Sequence, residues 1–183
     1  MSFLDLVNNR ESTRKYTPDP IDREKIERCL EAARLAPSAS NSQPWTFIVV
    51  DEPELKDKLV EEAFSGILHN FNKFTKNAPV LVVVVTERMK YITKLGSKLQ
   101  GIQYSLIDIG IACEHFVLQA EEEGLGTCML GWFNEKGVRK TLNLPKDCNI
   151  NVLISLGYPE SKEKRSKNRK TLDEIRSYNK YIE

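Results

Sequence analysis

Apolar residues recur along this chain with two different periods. Ile26, Cys29, Leu30 and Ala33 keep helical spacing, the mark of a helix with one buried face. Asp22 stands at the N-cap position of that helix and Pro37 stops it. A longer stretch over 102–123 carries Ile102, Leu106, Ile109, Cys113, Phe116, Val117 and Ala120 as its core face, with Gly124 as the C-cap. Three shorter helices are predicted as well. One follows the capping pair Ser2 and Asp5, one opens at Pro53 with Leu55 and Leu59, and one is capped by Asn134 with Val138 and Leu142. Strands are predicted over 47–50, 80–85, 127–132 and 149–156. The second of these, Val80-Leu81-Val82-Val83-Val84-Val85, has no polar alternation and reads as buried on both faces.

Helices interleaved with strands imply an α/β or α+β layered fold. With 183 residues, one domain of 1–160 is expected, followed by a segment of 161–183 that does not continue the core. A domain of this size buries about 70% of its unfolded surface and needs no disulfides. The net charge of +1 gives no bulk attraction to nucleic acid or to a membrane surface, so neither partner is expected. Cys29, Cys113, Cys128 and Cys148 include no C-x-x-C pair, and the chain has only 2 histidines, which argues against a zinc site. Cys29 and Cys113 fall on apolar helix faces and read as small core residues, and His115 reads as a partly buried structural histidine. No apolar segment follows the first residues as in a signal peptide, and the longest aliphatic run is too short to cross a bilayer. The chain reads as cytoplasmic.

Candidate chemistry is confined to a few polar clusters. Pro37-Ser38-Ala39-Ser40-Asn41-Ser42-Gln43-Pro44-Trp45 is far more polar than a helix-to-strand connection requires. Its hydroxyls and amides both donate and accept hydrogen bonds, which suits a flat heterocycle as well as it suits an ordinary turn. Arg10, Ser12 and Arg14 place two guanidiniums around a hydroxyl, an arrangement that fits a phosphate or a solvated basic turn. Residues 161–170 hold six basic side chains, Lys162, Lys164, Arg165, Lys167, Arg169 and Lys170, against Glu163. That run reads as a charged linker, because no aromatic residue within it supports base stacking. Gly126 and Gly131 flank the third strand and permit close backbone approach to a ligand, while Cys128, with no histidine near it in sequence, reads as structural. Trp45 and Trp132 read as core. Neither a G-x-G-x-x-G turn nor a P-loop occurs, and no Ser-His-Asp set or carboxylate pair stands out.

Taken together, Arg10-Glu11-Ser12-Thr13-Arg14-Lys15-Tyr16, the 36–45 segment, Asp108-Ile109-Gly110, Gly124-Leu125-Gly126-Thr127-Cys128, Gly157-Tyr158-Pro159 and Arg169-Lys170 resemble the FMN-dependent nitroreductase family. The likeness covers nearly the whole chain. It implies an α+β fold with a mainly antiparallel central sheet flanked by helices. It also implies a homodimer with FMN at the subunit interface, in which the 161–183 arm crosses to the partner. On this likeness Arg10, Ser12, Arg14 and Arg169 hold the phosphate and ribityl chain. Ser38 and Asn41, with Pro37, Ala39 and Ser40 beside them, line the flavin from the partner subunit. Leu130 and Gly131 offer backbone N–H groups to its N5 and O4 edge. No side chain acts as catalytic acid or base, since the flavin carries the chemistry. NADH or NADPH would supply a hydride, and a nitroaromatic, quinone or similar small electron-poor acceptor would then take the electrons in a ping-pong cycle. An FMN carrier or sensor without nicotinamide turnover, a flavin reductase and a reductive dehalogenase stand as alternatives on the same scaffold. Polar residues 90–101 read as a substrate lid or as a surface linker.

Overall fold

The valine run governs the architecture. In the computed structural model, which describes residues 1–66, 72–86, 101–161 and 163–181, it forms a central strand with helices above and below. The elements in chain order are α1 (Phe3–Asn9), α2 (Arg23–Arg34), β1 (Trp45–Val50), α3 (Pro53–Ala63), β2 (Val80–Thr86), α4 (Tyr104–Glu122), β3 (Gly126–Leu130), α5 (Glu135–Thr141), β4 (Asn149–Gly157) and α6 (Leu172–Ile175). Among the described residues there are also the 3-10 turns Ala39–Asn41 and Lys73–Asn77. The sheet order is β1-β2-β4-β3, and every ladder is antiparallel. This is the α+β fold with an antiparallel sheet that the resemblance implied.

Strand geometry explains why the β2 run lacks polar residues. Successive side chains point to opposite faces. Val80, Val82 and Val84 pack with Ile26 and Cys29 of α2 and with Cys113, Phe116 and Val117 of α4. Leu81, Val83 and Val85 pack with Leu59 and Val60 of α3 and Val138 of α5. Both faces are therefore dry, and Phe47 of β1 stacks on Phe116 at 5.7 Å between centroids.

Helix ends follow local chemistry. Ser2 and Asp5 form a reciprocal capping box on α1. Glu52 accepts from the Leu55 N–H at 2.9 Å at the start of α3, with Pro53 in its first turn. Asn134 accepts from the Gly137 N–H at 3.3 Å, and Gly124 leaves α4 at φ +74°. Asp22 occupies the N-cap of α2, but its side chain makes no capping bond.

The helical pattern at 102–109 misleads in one respect. Ile102 and Leu106 are 43% and 52% exposed rather than in the core. Ile102 precedes the helix, and the inward positions of its first turns are taken by the polar Ser105 and Asp108. β3 ends at Leu130, and beyond it Trp132 is 63% exposed instead of buried. The stretch read as a lid or linker lies, up to residue 100, outside the described residues.

Candidate functional site

Residues 10–17 leave α1 and cross the ends of β3 and β4, and two glycines make the crossing close. The Thr13 N–H donates to the Thr127 carbonyl at 2.8 Å, and the Thr17 N–H to the Tyr158 carbonyl at 2.9 Å. A Cβ on Gly126 would meet Thr13 Oγ1 at 2.4 Å, and a Cβ on Gly157 would meet Tyr16 Cδ1 at 2.8 Å and Pro79 Cδ at 2.7 Å. Thr13 and Tyr16 are thus seated in notches that any side chain would fill. The Tyr16 phenol is buried, donates to the Thr13 carbonyl at 2.8 Å and shares a 2.8 Å bond with Ser155 Oγ. Burial pushes this phenol above its ordinary range, against the pull of the Ser155 bond.

This seating fixes a group of cations. Arg10 is the C-cap of α1, and its half-buried side chain leaves Nε enclosed without a hydrogen-bond partner. Lys167 comes from the tail and donates to the carbonyls of Val7 at 3.3 Å, of Arg10 at 2.6 Å and of Asn8. Burial, and then the charges of Arg10 and Arg169, pull the Lys167 ammonium below its usual value. Arg14 is exposed. Arg10, Arg14 and Arg169 form no ion pair with a carboxylate among the described residues. Cations gathered in this way repel one another, and an anion is what relieves the repulsion. Cys128 lies under this group. Its burial raises the thiol, opposed chiefly by the Arg14 charge, and Ser12 bridges Thr127 next to it in β3.

The 37–43 segment hangs on α4. The buried Asp108 carboxylate accepts from the Ala39 N–H at 3.0 Å and from the Ser42 hydroxyl at 3.5 Å. Ser38 Oγ accepts from the Gln43 N–H at 3.0 Å. Ser40, Asn41 and Gln43 have φ of 53°, 50° and 45°, in the left-handed region that non-glycine residues avoid. All three side chains are exposed, as is Pro37, whereas Ser38 and Ala39 are half-buried. At the end of β3, Leu130 is buried and Gly131 exposed. A Cβ on Gly131 would meet nothing within 4 Å, so crowding within the chain does not account for this glycine.

The structure therefore sets Arg10 beside Lys167 of the tail and Ser12 against Arg165 and Thr127, with Arg14 and Arg169 two residues further along the same two segments, and holds the 37–41 residues on a different element. Three participants escaped the sequence reading. Lys167 was grouped with the charged linker, Thr13 was not singled out, and Asp108 was quoted in a motif without a role. The first signal available for Asp108 was a carboxylate on the apolar stripe of a helix.

Comparison with known proteins now bears on this arrangement. The sequence profile of the nitroreductase family matches residues 7–158. The chain belongs to the nitroreductase family. Among its relatives is an NADH dehydrogenase of Thermus thermophilus, 31% identical, with the match covering 82% of this chain and 83% of that protein. An iodotyrosine deiodinase of Thermotoga neapolitana is 27% identical, covering 86% of this chain and 89% of the other. The solved structure of an FMN-dependent nitroreductase from Clostridium difficile R20291 superposes with a TM-score of 0.77 at 29% identity, over 98% of this chain and all of that one, 100%. As a nitroreductase-family protein the chain is an oxidoreductase of the flavin type with an NAD(P)H-type reductant. Among the described residues no helix is long and apolar enough to cross a membrane, and no cluster of metal-ligating side chains occurs.

Proposed function

We propose that this nitroreductase-family protein binds FMN with its phosphate at the Arg10, Ser12, Arg14 and Arg169 junction and reduces small electron-poor acceptors at the expense of NADH or NADPH. The observation that carries the reading is the cation group itself. It contains a buried guanidinium nitrogen with no partner, and its arginines lack carboxylates that would neutralise them. Arginine forks match phosphate oxygens, and charge-assisted bonds of this kind are about twice as strong as neutral ones. A phosphate fits these residues and supplies what they lack.

When bound, the flavin supplies hydride acceptance from the reductant and electron delivery to a nitroaromatic, a quinone or a similar acceptor. The chain's own part is to bind, orient and polarise. Arg10, Arg14 and Arg169 hold the phosphate, with the Ser12 hydroxyl beside them. The backbone N–H groups at Leu130 and Gly131 lie at an open strand end, where a donor can meet the flavin edge and stabilise negative charge there. Ser38 and Asn41, with Pro37, Ala39 and Ser40, line the flavin of a second subunit. A homodimer is part of this reading. Phe3 and Leu4 of α1, Leu106 and Ile107 of α4, and Leu172, Ile175, Tyr178 and Tyr181 of the tail are all more than half exposed, from 52% to 85%. An apolar surface on that scale calls for a covering partner. The tail, exposed throughout 168–181, serves as the arm that crosses to the partner subunit.

A second reading, reductive removal of halogen from an aromatic substrate, rests on the Thermotoga neapolitana relative. One experiment addresses both. The purified chain is examined anaerobically by visible absorption before and after NADH and then NADPH, and the reduced protein is mixed with menadione, a nitroaromatic or an iodinated phenol. Flavin bands that bleach with nicotinamide and return with menadione or the nitroaromatic are the expected result. Recovery with the iodinated phenol alone favours the second reading. A protein that binds no FMN, or an Arg10→Ala variant that retains flavin as fully as wild type, refutes the phosphate assignment.

A further inference from the structure

Residues 158–161 and 163–167 run antiparallel beside residues 8–17. The Glu160 N–H donates to the Lys15 carbonyl at 3.1 Å, Tyr16 bridges Pro159, and Lys167 reaches the carbonyls at the end of α1. A 4.0 Å pair of Lys15 with Glu160 joins the two segments at one end, and a closer pair, Arg165 with Glu11, ties them between these points. Arg165 Nε donates to Glu11 Oε2 at 3.1 Å, the Arg165 backbone N–H donates to the same oxygen at 3.3 Å, and the guanidinium also donates to the Ser12 carbonyl at 2.5 Å. Lys164 adds a 2.6 Å pair to Glu121 at the end of α4. Much of the basic run thus serves contacts within the chain. Glu11 stands out among them, because it is a carboxylate whose side chain is only 15% exposed, in the segment that carries Arg10, Ser12 and Arg14. An acid there opposes anion binding by its charge alone. Burial also opposes its ionisation, yet the Arg165 bonds and charge hold it below the usual carboxylate range.

We propose that Arg165, paired with Glu11, is a positioning residue for the phosphate end of the flavin site: the pair fastens the tail onto the segment bearing Arg10 and Ser12, and so sets Lys167 and Arg169 against the same anion. The inference rests on the reading of that junction as the phosphate site. Lys167 and Arg169 follow Arg165 by two and four residues on an otherwise exposed segment. Without the pair, Arg169 is left on a segment whose side chains from 168 to 181 are all exposed, and ordering it on binding costs conformational entropy.

The positioning role and plain electrostatics predict opposite signs for one substitution. FMN dissociation constants are measured by flavin fluorescence on the flavin-free, full-length wild type, on Glu11→Gln, Arg165→Gln and Arg165→Lys, and on the Glu11→Gln/Arg165→Gln double variant. Thermal melting of the same proteins checks folding. Positioning predicts that Glu11→Gln weakens FMN binding about fivefold, the scale of a partly exposed ion pair, although it removes a negative charge. Arg165→Gln weakens it at least as much. Arg165→Lys, which keeps the charge on Glu11, recovers part of the loss. The double variant is no weaker than the worse single one, because both changes remove the same interaction. Equal or tighter FMN binding by Glu11→Gln overturns the inference, and so do additive losses, which would mean that Arg165 meets the phosphate directly. Both of those outcomes leave the phosphate reading standing. A wild-type protein that binds no FMN overturns the reading and the inference together.

Discussion

Replacing Gly126 by alanine isolates the seating of the phosphate segment from its charges. An added Cβ would lie 2.4 Å from Thr13 Oγ1, 2.7 Å from its Cγ2 and 2.8 Å from its Cβ, where about 3.5–4.0 Å is a comfortable separation between carbons. Relief requires the Thr13 side chain or the β3 backbone to move by roughly 1 Å. Thr13 is 6% exposed and its N–H is bound to the Thr127 carbonyl at 2.8 Å, so it has no free direction in which to turn. Overpacking of this kind costs about 1–3 kcal/mol. For a chain of this size that is a melting temperature lower by roughly 2–12 °C. Ser12 and Arg14 flank Thr13 and move with it, and loss of one bond to a charged group costs about 1.5–3 kcal/mol, so FMN affinity falls tenfold or more. The assay is thermal melting of the flavin-free protein beside FMN titration of the same preparation. A Thr13→Gly/Gly126→Ala exchange, which removes the clashing atoms, regains part of the affinity that Gly126→Ala alone loses. Gly126→Ala protein that melts and binds FMN as wild type does would show that the notch does not set the segment's position.

Two further outcomes follow from the tail and its anchor. Truncation after residue 170 keeps Lys167 and Arg169 but removes Leu172, Ile175, Tyr178 and Tyr181, which are 67–85% exposed; sedimentation should then find monomer or insoluble protein, and a soluble flavin-loaded dimer refutes the crossing arm. The Glu11 carboxyl is held below its usual value of 4.5 in the folded chain, so between that value and the lower one the unfolded chain binds more protons. Its contribution is therefore full above about pH 4.5 and is lost as pH falls through the folded value. Asp5, Glu31, Glu123 and Glu174 are lowered as well, so the measurement is a difference: wild-type melting temperature should fall more steeply with acid than that of Glu11→Gln, and parallel curves would remove Glu11 from the account.

The layered core was legible because its signals are local. The β2 run, the apolar stripes of α2 and α4, and the caps at Ser2, Asn134 and Gly124 each depend on residues within a few turns of one another. The failures share a different cause. Ile102 and Leu106 continue a helical stripe whose inner places the fold gives to Ser105 and Asp108, and only the tertiary arrangement distinguishes the two. Arg165 meets Glu11 across 154 positions of sequence. A basic run whose partners are that distant, or are backbone carbonyls as for Lys167, carries no mark separating it from a solvated linker. Gly126 reads in sequence as room for a ligand, and Gly157 only as part of a motif. What they admit is Thr13 and Tyr16, residues of the chain's own first segment.

The 37–43 segment shows why part of the candidate site cannot be explained from one chain. Three non-glycine residues there hold left-handed backbone, at about 1–2 kcal/mol each for Ser40 and Gln43 and less for Asn41, whose short amide tolerates it. Such strain persists only where surrounding structure imposes it. Asp108 supplies part of that constraint by accepting from Ala39 and Ser42, yet the strained residues Ser40, Asn41 and Gln43 remain exposed. A turn that needed only to reach β1 would have no use for three such residues. Strain on that scale, held by a buried carboxylate and presenting exposed amides and a hydroxyl, makes sense if those groups meet something outside the chain. Gly131 repeats the argument at the end of β3, where a side chain would touch nothing of its own subunit. Both features are what the proposed site, completed by a flavin and a second subunit, calls for, and the proposed dimer would cover the apolar residues that α1, α4 and the tail leave exposed.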